Sequence, residues 1–586
     1  MRATWRVLND LIYKKKPKLK SNQSFKADEM EITNPVAIAN KFCQYFSNVG
    51  PNLAKGIQSS ISHKNFLSGS FNQSIFLTLA TESEIIAIAK EFQLGKAAGF
   101  DNIPMSIIKQ SINFISSPLA HIVNLSIMHG IVPDQMKIAR VVPIFKSGDK
   151  AIFSNYRPVS ILPCFSKFLE RIVYNRIFNY LSDFHILCDN QYGFRKKHST
   201  THALIDLYDK ISSALDRKEH AVGVFLDLSK AFDTVNHEIL FDKLYHYGIR
   251  GLALDWVKSY FTKRTQFVEY NGSRSTPHKI HCGVPQGSIL GPLFFILYIN
   301  DLNNATNLDS ILFADDTNLF ISHKDPDFLI STLNCELIKL STWFRASRLS
   351  LNLTKTNFME FRPRQKKSSN FNVVIDEKTI AQVNETVFLG VILDDNLTWK
   401  SHISSVAVKV SKSIGIIFRS SFYLSTPSLR MLYNAMILPY LNYCNLVWGS
   451  TYKTNLQRIV VLQKRVIRIV NKSYYNAHSE PIFKKLNLLK FQDIHLMHLG
   501  QFMFSFKNAI LPRKFENKFA INNQIHSHNT RHAKSFRLPL CRTNIRQFSI
   551  FFQGPKFFNS LSPEISGSSS LASFKKNLKA SLIYNY

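Results

Sequence analysis

Apolar positions follow two rhythms along this chain, and the switches between them mark the elements that matter. Residues 221–228, AVGVFLDL, form a continuous apolar run closed by a carboxylate, which predicts a strand buried on both faces with Asp227 at its carboxyl end. The next stretch, TVNHEILFDKLYHYGI at 234–249, changes to helical spacing, with Asn236 and His237 at the helix start. Residues 310–321, SILFADDTNLFI, are two short apolar runs around Asp315 and Asp316, the pattern of a hairpin with both acids at its turn. Between them, CGVPQGSILGPLFFILYINDL at 282–302 predicts a glycine- and proline-rich loop, permitting close backbone approach, followed by a long apolar helix. Further on, LQRIVVLQKRVIRIVNK at 456–472 places Arg458, Arg465, Arg468 and Lys472 within a stripe of about 80° at helical spacing. Ile459, Leu462, Val466, Ile469 and Val470 fall on another face, so this helix packs by one side and offers cations by the other.

Charge sharpens that picture. The 586 residues carry 73 Lys plus Arg against 40 Asp plus Glu, a formal net charge of +33, which points to a polyanionic partner, with nucleic acid ahead of an acidic membrane surface. The surplus is uneven: residues 1–220 hold 28 basic and 17 acidic residues, residues 221–400 hold 19 of each, and residues 401–586 hold 26 basic and 4 acidic. A neutral middle that keeps its carboxylates and a basic tail that meets the polyanion follow from this split. The run Lys14, Lys15, Lys16, Lys18 and Lys20 reads as a solvated stretch. Seven scattered cysteines without a Cys-x-x-Cys pair suggest neither a disulfide framework nor a zinc knuckle, and with reduced thiols the expected setting is intracellular, nucleus or cytoplasm. The start lacks an apolar signal core and the longest apolar run, 288–299, is too short to span a bilayer, so neither secretion nor membrane insertion is expected.

If the strand ending at Asp227 neighbours the 310–321 hairpin, three carboxylates converge at one sheet edge. Such a cluster raises its own pKa values unless a hard cation lies between the acids. Oxygen ligands of this kind suit Mg²⁺, and two such ions can activate a 3′-hydroxyl and stabilise a leaving pyrophosphate. Taken singly, Asp227 reads first as a cap of the following turn and Asp315-Asp316 as an ordinary turn pair.

The set around the acids resembles a known family. FLDLSKAFD at 225–233, GVPQGSILGP at 283–292 and FADD at 313–316 look like motifs A, B and C of reverse transcriptases, in that order. KAAGFDNIP at 96–104, ARVVPIFKSGD at 139–149, NYRPVSIL at 155–162 and QYGFRKKHST at 191–200 are similar to finger motifs of non-LTR, LINE-type retrotransposon enzymes. SLNLTKTNFMEF at 350–361 resembles motif D and FLGVILDDNLTWKSHI at 388–403 motif E, the nearest subfamilies being those of jockey and CR1 elements. Their reading frames commonly end in a segment like residues 526–561, although Phe557 stands where Trp is expected.

By this resemblance, Asp227, Asp315 and Asp316 hold two Mg²⁺ ions, or Mn²⁺ in their place, with Asp316 the least direct ligand. Phe232 matches the aromatic that stacks under the incoming sugar, against a plainer reading as core packing. Lys146 and Arg157 match the grip on the triphosphate of a dNTP, and their chemistry, a point charge and a bidentate fork, suits phosphate oxygens. Gln286 matches a residue near nucleotide and template, and Lys355 the motif D lysine that protonates pyrophosphate, or else a solvent-facing turn lysine. The stripe of Arg458, Arg465, Arg468 and Lys472 looks like a thumb surface along template and primer phosphates.

The fold implied is α+β: a right-hand polymerase with fingers, a palm built on an antiparallel sheet, a helical thumb and a small C-terminal domain. The expected divisions are an N-terminal extension at 1–80, fingers at 81–220, palm at 221–400, basic thumb at 401–490 and a C-terminal segment at 491–586, with the reverse transcriptase domain at about 126–395. The function implied is RNA-directed DNA polymerisation on an RNA template from a DNA primer, with dNTPs as substrates. A decayed or domesticated copy that only binds nucleic acid is the alternative. A viral RNA-directed RNA polymerase is the nearest rival enzyme, but it favours a glycine before the paired aspartates and a second acid where this chain has Ala314 and Phe232. Residues 401–586 hold only Glu480, Asp493, Glu516 and Glu564, widely spread, so no RNase H or endonuclease is expected there. Jockey-like elements usually carry an endonuclease upstream of the polymerase, where this chain has about 80 residues, so a fragment or truncated copy is expected.

Overall fold

The computed structural model describes residues 24–586 apart from 28–29, 58, 70, 367–368 and 525–532. The basic run at 14–20 and the first seven residues of the segment 526–561 lie outside the described residues.

The run at 221–228 forms the strand His220–Leu226, the middle of a five-stranded sheet. Across that sheet the order is Ala381–Gln382, Asn357–Phe361, His220–Leu226, Asp316–His323, Asp309–Phe313, antiparallel except for the first pair. The strand reads as unbroken apolar sequence because both of its faces are covered. Val222, Val224 and Leu226 point into one core, and Ala221 and Phe225 into the other. The hairpin strands divide likewise, Leu312 and Leu319 to the first core and Ile311 and Phe320 to the second.

The first core is completed by helices that include Met105–His129, Cys164–Asp183, His237–His246, Leu290–Tyr298 and Pro326–Ala346. His237–His246 begins as expected, Asn236 accepting a hydrogen bond from the Ile239 amide at 3.1 Å. The apolar helix after the glycine-rich loop is shorter than the pattern suggests, nine residues, and all but Pro292 are buried, as a helix apolar all round requires. The second core joins the helix Thr200–Asp216 to nearly everything after residue 385, including Lys400–Ser421, Lys453–Val470 and Phe491–Lys507.

A second sheet, order Tyr156–Ile161, Ile138–Phe145, Thr265–Tyr270, Ser273–Arg274, stands beside the first. The helix Pro35–Lys55 lies against it through Phe42 and Phe46, which pack with Val141, Tyr156 and Val268. No helix among the described residues is long and apolar enough to cross a membrane.

Candidate active site

Antiparallel register brings the acids together. Thr317 pairs with Leu226, so one step along each strand sets Asp316 across from Asp227. Asp316 itself pairs with Phe313, leaving Ala314 and Asp315 as the two-residue turn, with Ala314 at φ 58° as such tight turns require. All three carboxylates therefore stand at one end of the sheet.

Their electrostatics record the crowding. Burial pushes the Asp316 carboxyl up to about 6, with the charges of Asp315 and Asp227 adding to it and Lys146 and Arg157 opposing it. Asp315 is raised too, first by burial, with Asp227 contributing and Arg157 and Lys146 pulling down. Lys146 and Arg157 face this cluster from adjoining antiparallel strands, where Ile144 pairs with Arg157 and the Lys146 amide donates to Asn155 O at 2.9 Å. Both side chains are exposed, free to swing toward a ligand.

Lys355 reaches the same neighbourhood through its turn. Asn352 N donates to Asp227 O at 2.8 Å, and Asp227 N donates to Thr356 Oγ1 at 3.3 Å, so the turn carrying Lys355 is stitched to the backbone of the acid. Phe232 stacks on Phe295 with ring centroids 4.4 Å apart and stays half-buried, so it packs by one face and keeps part of its surface open. Gln286 lies across from Asp233, its Nε2 donating to Asp233 Oδ1 at 2.8 Å. The loop that carries it presses against the second sheet: Ser160 N donates to Gln286 O at 2.8 Å, and a Cβ at Gly287, where φ is 127°, would stand 2.4 Å from Ser160 O.

Four residues join this site that the sequence pattern did not single out. Lys230 donates to Ser154 O at 3.0 Å, and its ammonium is held below the usual lysine range by burial, with Lys146, Arg157 and Lys355 adding repulsion against the pull of Asp233. Asp233 has Oδ2 buried without a hydrogen-bond partner, and burial lifts its carboxyl to about 6. Thr356 anchors Asp227, and Gln191 Oε1 accepts from both Gly193 N at 2.7 Å and Ala314 N at 3.0 Å, bracing the acid turn. Lys230 and Asp233 lie within the same SKAFD stretch as Phe232, and two ionisable groups flanking an aromatic beside a catalytic-looking acid were the available signal.

The basic helix spans Lys453–Val470. Arg458 and Arg465 are exposed on it, and Lys472 is exposed just beyond its end. Arg468 is only half-exposed because its Nε donates to Ala477 O at 2.6 Å, tying down the following loop. Ile459, Val466 and Val470 are buried, while Leu462 and Ile469 are half-buried at the edge of that face.

Among the described residues no three His, Cys, Asp or Glu side chains close on a point as an ion cage would. Mg²⁺ seldom uses such a cage, since it keeps waters and takes one or two carboxylates together with substrate phosphates. Asp227, Asp315 and Asp316 suit that habit: hard oxygen donors at an open sheet end whose mutual repulsion a cation relieves.

Residues 144–393 match the family model described as reverse transcriptase (RNA-dependent DNA polymerase), a span that takes in every residue named around the acids. The chain is 28% identical over 429 residues to the probable RNA-directed DNA polymerase from transposon BS of Drosophila melanogaster, covering 69% of this chain and 46% of that protein. It is 29% identical over 406 residues to the corresponding protein of transposon X-element, covering 67% and 44%, from the same fly. To the RNA-directed DNA polymerase from mobile element jockey of that species it is 28% identical over 447 residues, covering 73% and 48%. The chain thus spans about half the length of the curated relatives it matches.

Proposed function

We propose that this chain, which carries at residues 144–393 a reverse transcriptase domain of the non-LTR retrotransposon kind, is an RNA-directed DNA polymerase that extends a DNA 3′-end along an RNA template. The observation that carries the reading is the convergence of Asp227, Asp315 and Asp316 at one sheet end, faced by Lys146 and Arg157 from the adjoining sheet. Acids on one side and cations on the other are what a nucleoside triphosphate and its metal ions need together.

Asp227, Asp315 and Asp316 would hold two Mg²⁺ ions, which when bound supply activation of the primer hydroxyl and stabilisation of the departing pyrophosphate. Lys146 and Arg157 bind and orient the triphosphate tail, Arg157 by its planar fork. Phe232, fixed on Phe295 and met edge-on by Phe194, offers its exposed part to the sugar and leaves little room for a 2′-hydroxyl. Gln286, held by Asp233, sets the position of base and template. Lys355 holds a proton at Nζ for the pyrophosphate oxygen as the bond to it breaks. In this reading the central sheet is the palm, the sheet at 138–161 with its neighbours belongs to the fingers, and the basic helix Lys453–Val470 is a thumb element along the duplex.

A primer-extension assay on primed poly(rA) with Mg²⁺ tests this. Asp315→Ala is expected to abolish dTTP incorporation while salt-sensitive binding to the primed template persists. Equal extension by variant and parent would remove the site assignment, and strong preference for ribonucleotides would remove the reverse transcriptase reading.

A further inference from the structure

Helices Lys400–Ser421 and Lys453–Val470 pack side by side. Their amino ends are tied together, because Thr398 O accepts from Asn455 Nδ2 at 3.1 Å and from Thr451 Oγ1 at 3.4 Å. The two helices therefore run parallel, and their carboxyl ends form a common tip. At that tip each helix is followed by a pair of aromatic residues in open solvent: Phe422 and Tyr423 are 71% and 79% exposed, and Tyr474 and Tyr475 are 85% and 89% exposed.

The segments bearing them are well anchored. Arg468 Nε donates to Ala477 O at 2.6 Å, Ser473 N donates to Arg468 O at 2.9 Å, and Ala477 N donates to Tyr474 O at 3.1 Å, so the loop folds back on its helix and turns both tyrosines outward. Tyr423 N and Leu424 N both donate to Ser420 O, at 3.1 and 3.0 Å. Four large aromatic side chains held in water at one place are unusual for a surface without a partner.

Charge says what the partner is. Between residues 401 and 479 there are ten Lys and Arg residues and no Asp or Glu. Arg419 precedes the first aromatic pair and Lys472 the second, so each pair has a cation within three residues. Phosphates meet the cations and flat rings meet bases, the combination found where proteins hold single strands. A duplex hides its base faces in the stack, so rings at this tip gain nothing from one.

We propose that this tip binds unpaired nucleotides of a single-stranded polynucleotide, stacking bases on Tyr474, Tyr475, Phe422 and Tyr423 while Arg419 and Lys472 meet the phosphates. The proposal rests on the nucleic-acid substrate of the proposed function and extends it to strand lying outside the primed duplex.

The test uses the full chain and fluorescence anisotropy with oligo(rU), oligo(dT) and a blunt RNA–DNA duplex over a range of salt. The double variant Tyr474→Ala/Tyr475→Ala is expected to weaken single-strand binding on the order of tenfold, the scale of losing base stacking. Its affinity for the duplex stays within about twofold, and its slope of log K against log salt stays that of the parent, because no phosphate contact is lost. Lys472→Ala, by contrast, lowers that slope by about one. Tyr474→Phe/Tyr475→Phe retains binding, since the ring remains. Three results would overturn the proposal: equal losses on duplex and single strand, no loss on the single strand, or a loss in the phenylalanine pair as large as in the alanine pair. Loss with oligo(rU) alone, or with both oligomers, separates an RNA site from one indifferent to the sugar, and either supports stacking. Should the parent chain fail to extend the primer at all while the tyrosine variants still lose single-strand binding, the polymerase reading falls and the tip stands.

Discussion

Asp316 is held between two opposing demands. The metal-free fold favours its proton, through burial and the charges of Asp315 and Asp227, whereas metal binding needs it ionised. Its folded pKa of about 6 lies above the ordinary 3.8, so between those values the folded protein keeps a proton that the unfolded chain releases. The contribution of Asp316 to the stability of the metal-free protein is therefore most favourable below that window, falls as pH rises through it, and carries the full penalty above 6. Asp316→Asn removes the charge, and its thermal midpoint without metal is expected to exceed the parent's above pH 6 and to converge with it near pH 4. Adding Mg²⁺ raises the midpoint of the parent more than that of the variant. Midpoints that stay equal at pH 7.5 without metal would show that neither burial nor the neighbouring acids disfavour the Asp316 charge as described. The acids themselves were legible in the sequence because each sits at a local pattern, a strand end or a hairpin turn. Thr356 and Gln191 were not, because each acts through a partner far along the chain: Asp227 for Thr356 and Ala314 for Gln191. Spacing along a sequence holds no record of such pairs.

At the scale of elements, the hairpin is the piece whose placement decides the site, and it does not stand alone. Residues 190–193 run beside it: Leu312 N donates to Asn190 O at 2.9 Å and Tyr192 N to Leu312 O at 2.7 Å. Gly193 then passes so close that a Cβ there would lie 2.5 Å from Ala314 N and 3.0 Å from Phe313 C. Those are backbone atoms, unable to move aside as a side-chain tip would, so Gly193→Ala shifts the turn that carries Asp315. The expected loss of extension is about a hundredfold, the scale of a displacement near 1 Å in a catalytic group, with the far-ultraviolet circular dichroism of the parent retained. Full activity in this variant would mean that the turn tolerates displacement and that the brace from Gln191 is dispensable. The hairpin was readable from its two short apolar runs around the paired acids, but its brace was not, since residues 191–200 read as part of a finger motif with no sign that 190–193 would extend the sheet. Likewise the stripe on Lys453–Val470 predicted which side packs, while Arg468 was diverted to Ala477 by a loop that periodicity cannot describe.

Over the whole molecule, the basic surplus after residue 400 does two jobs. Part of it faces outward, as Arg458, Arg465 and Lys472 do. Part is spent inside the protein, on the helix Thr200–Asp216. Arg546 and Lys518 reach opposite oxygens of the buried Asp209 at 2.6 and 2.7 Å, Lys514 reaches the buried Asp206 at 2.9 Å, and Asp216 accepts from the amides of Arg542 and Thr543 at 2.9 and 2.8 Å. Tyr208 adds a hydroxyl bond to Ile545 O at 2.8 Å. Around these polar ties the apolar core is shared, since Leu204, Leu207 and Ile211 of this helix belong to the same cluster as Phe502, Met503, Phe551 and Phe574. A segment that supplies both the cations for buried acids and the apolar cover for their helix unfolds together with it. Asp209→Ala tests this, because it strands two cations at a buried site and leaves the apolar contacts in place. Breaking a buried ion pair of this kind costs about 3 kcal/mol, so the variant is expected to lower the unfolding midpoint of the whole chain in one transition. Limited proteolysis should then cut after residue 490 faster in the variant than in the parent. If residues 491–586 instead melted separately at low temperature, with the remainder unchanged, the ion pairs would be a surface contact between independent units.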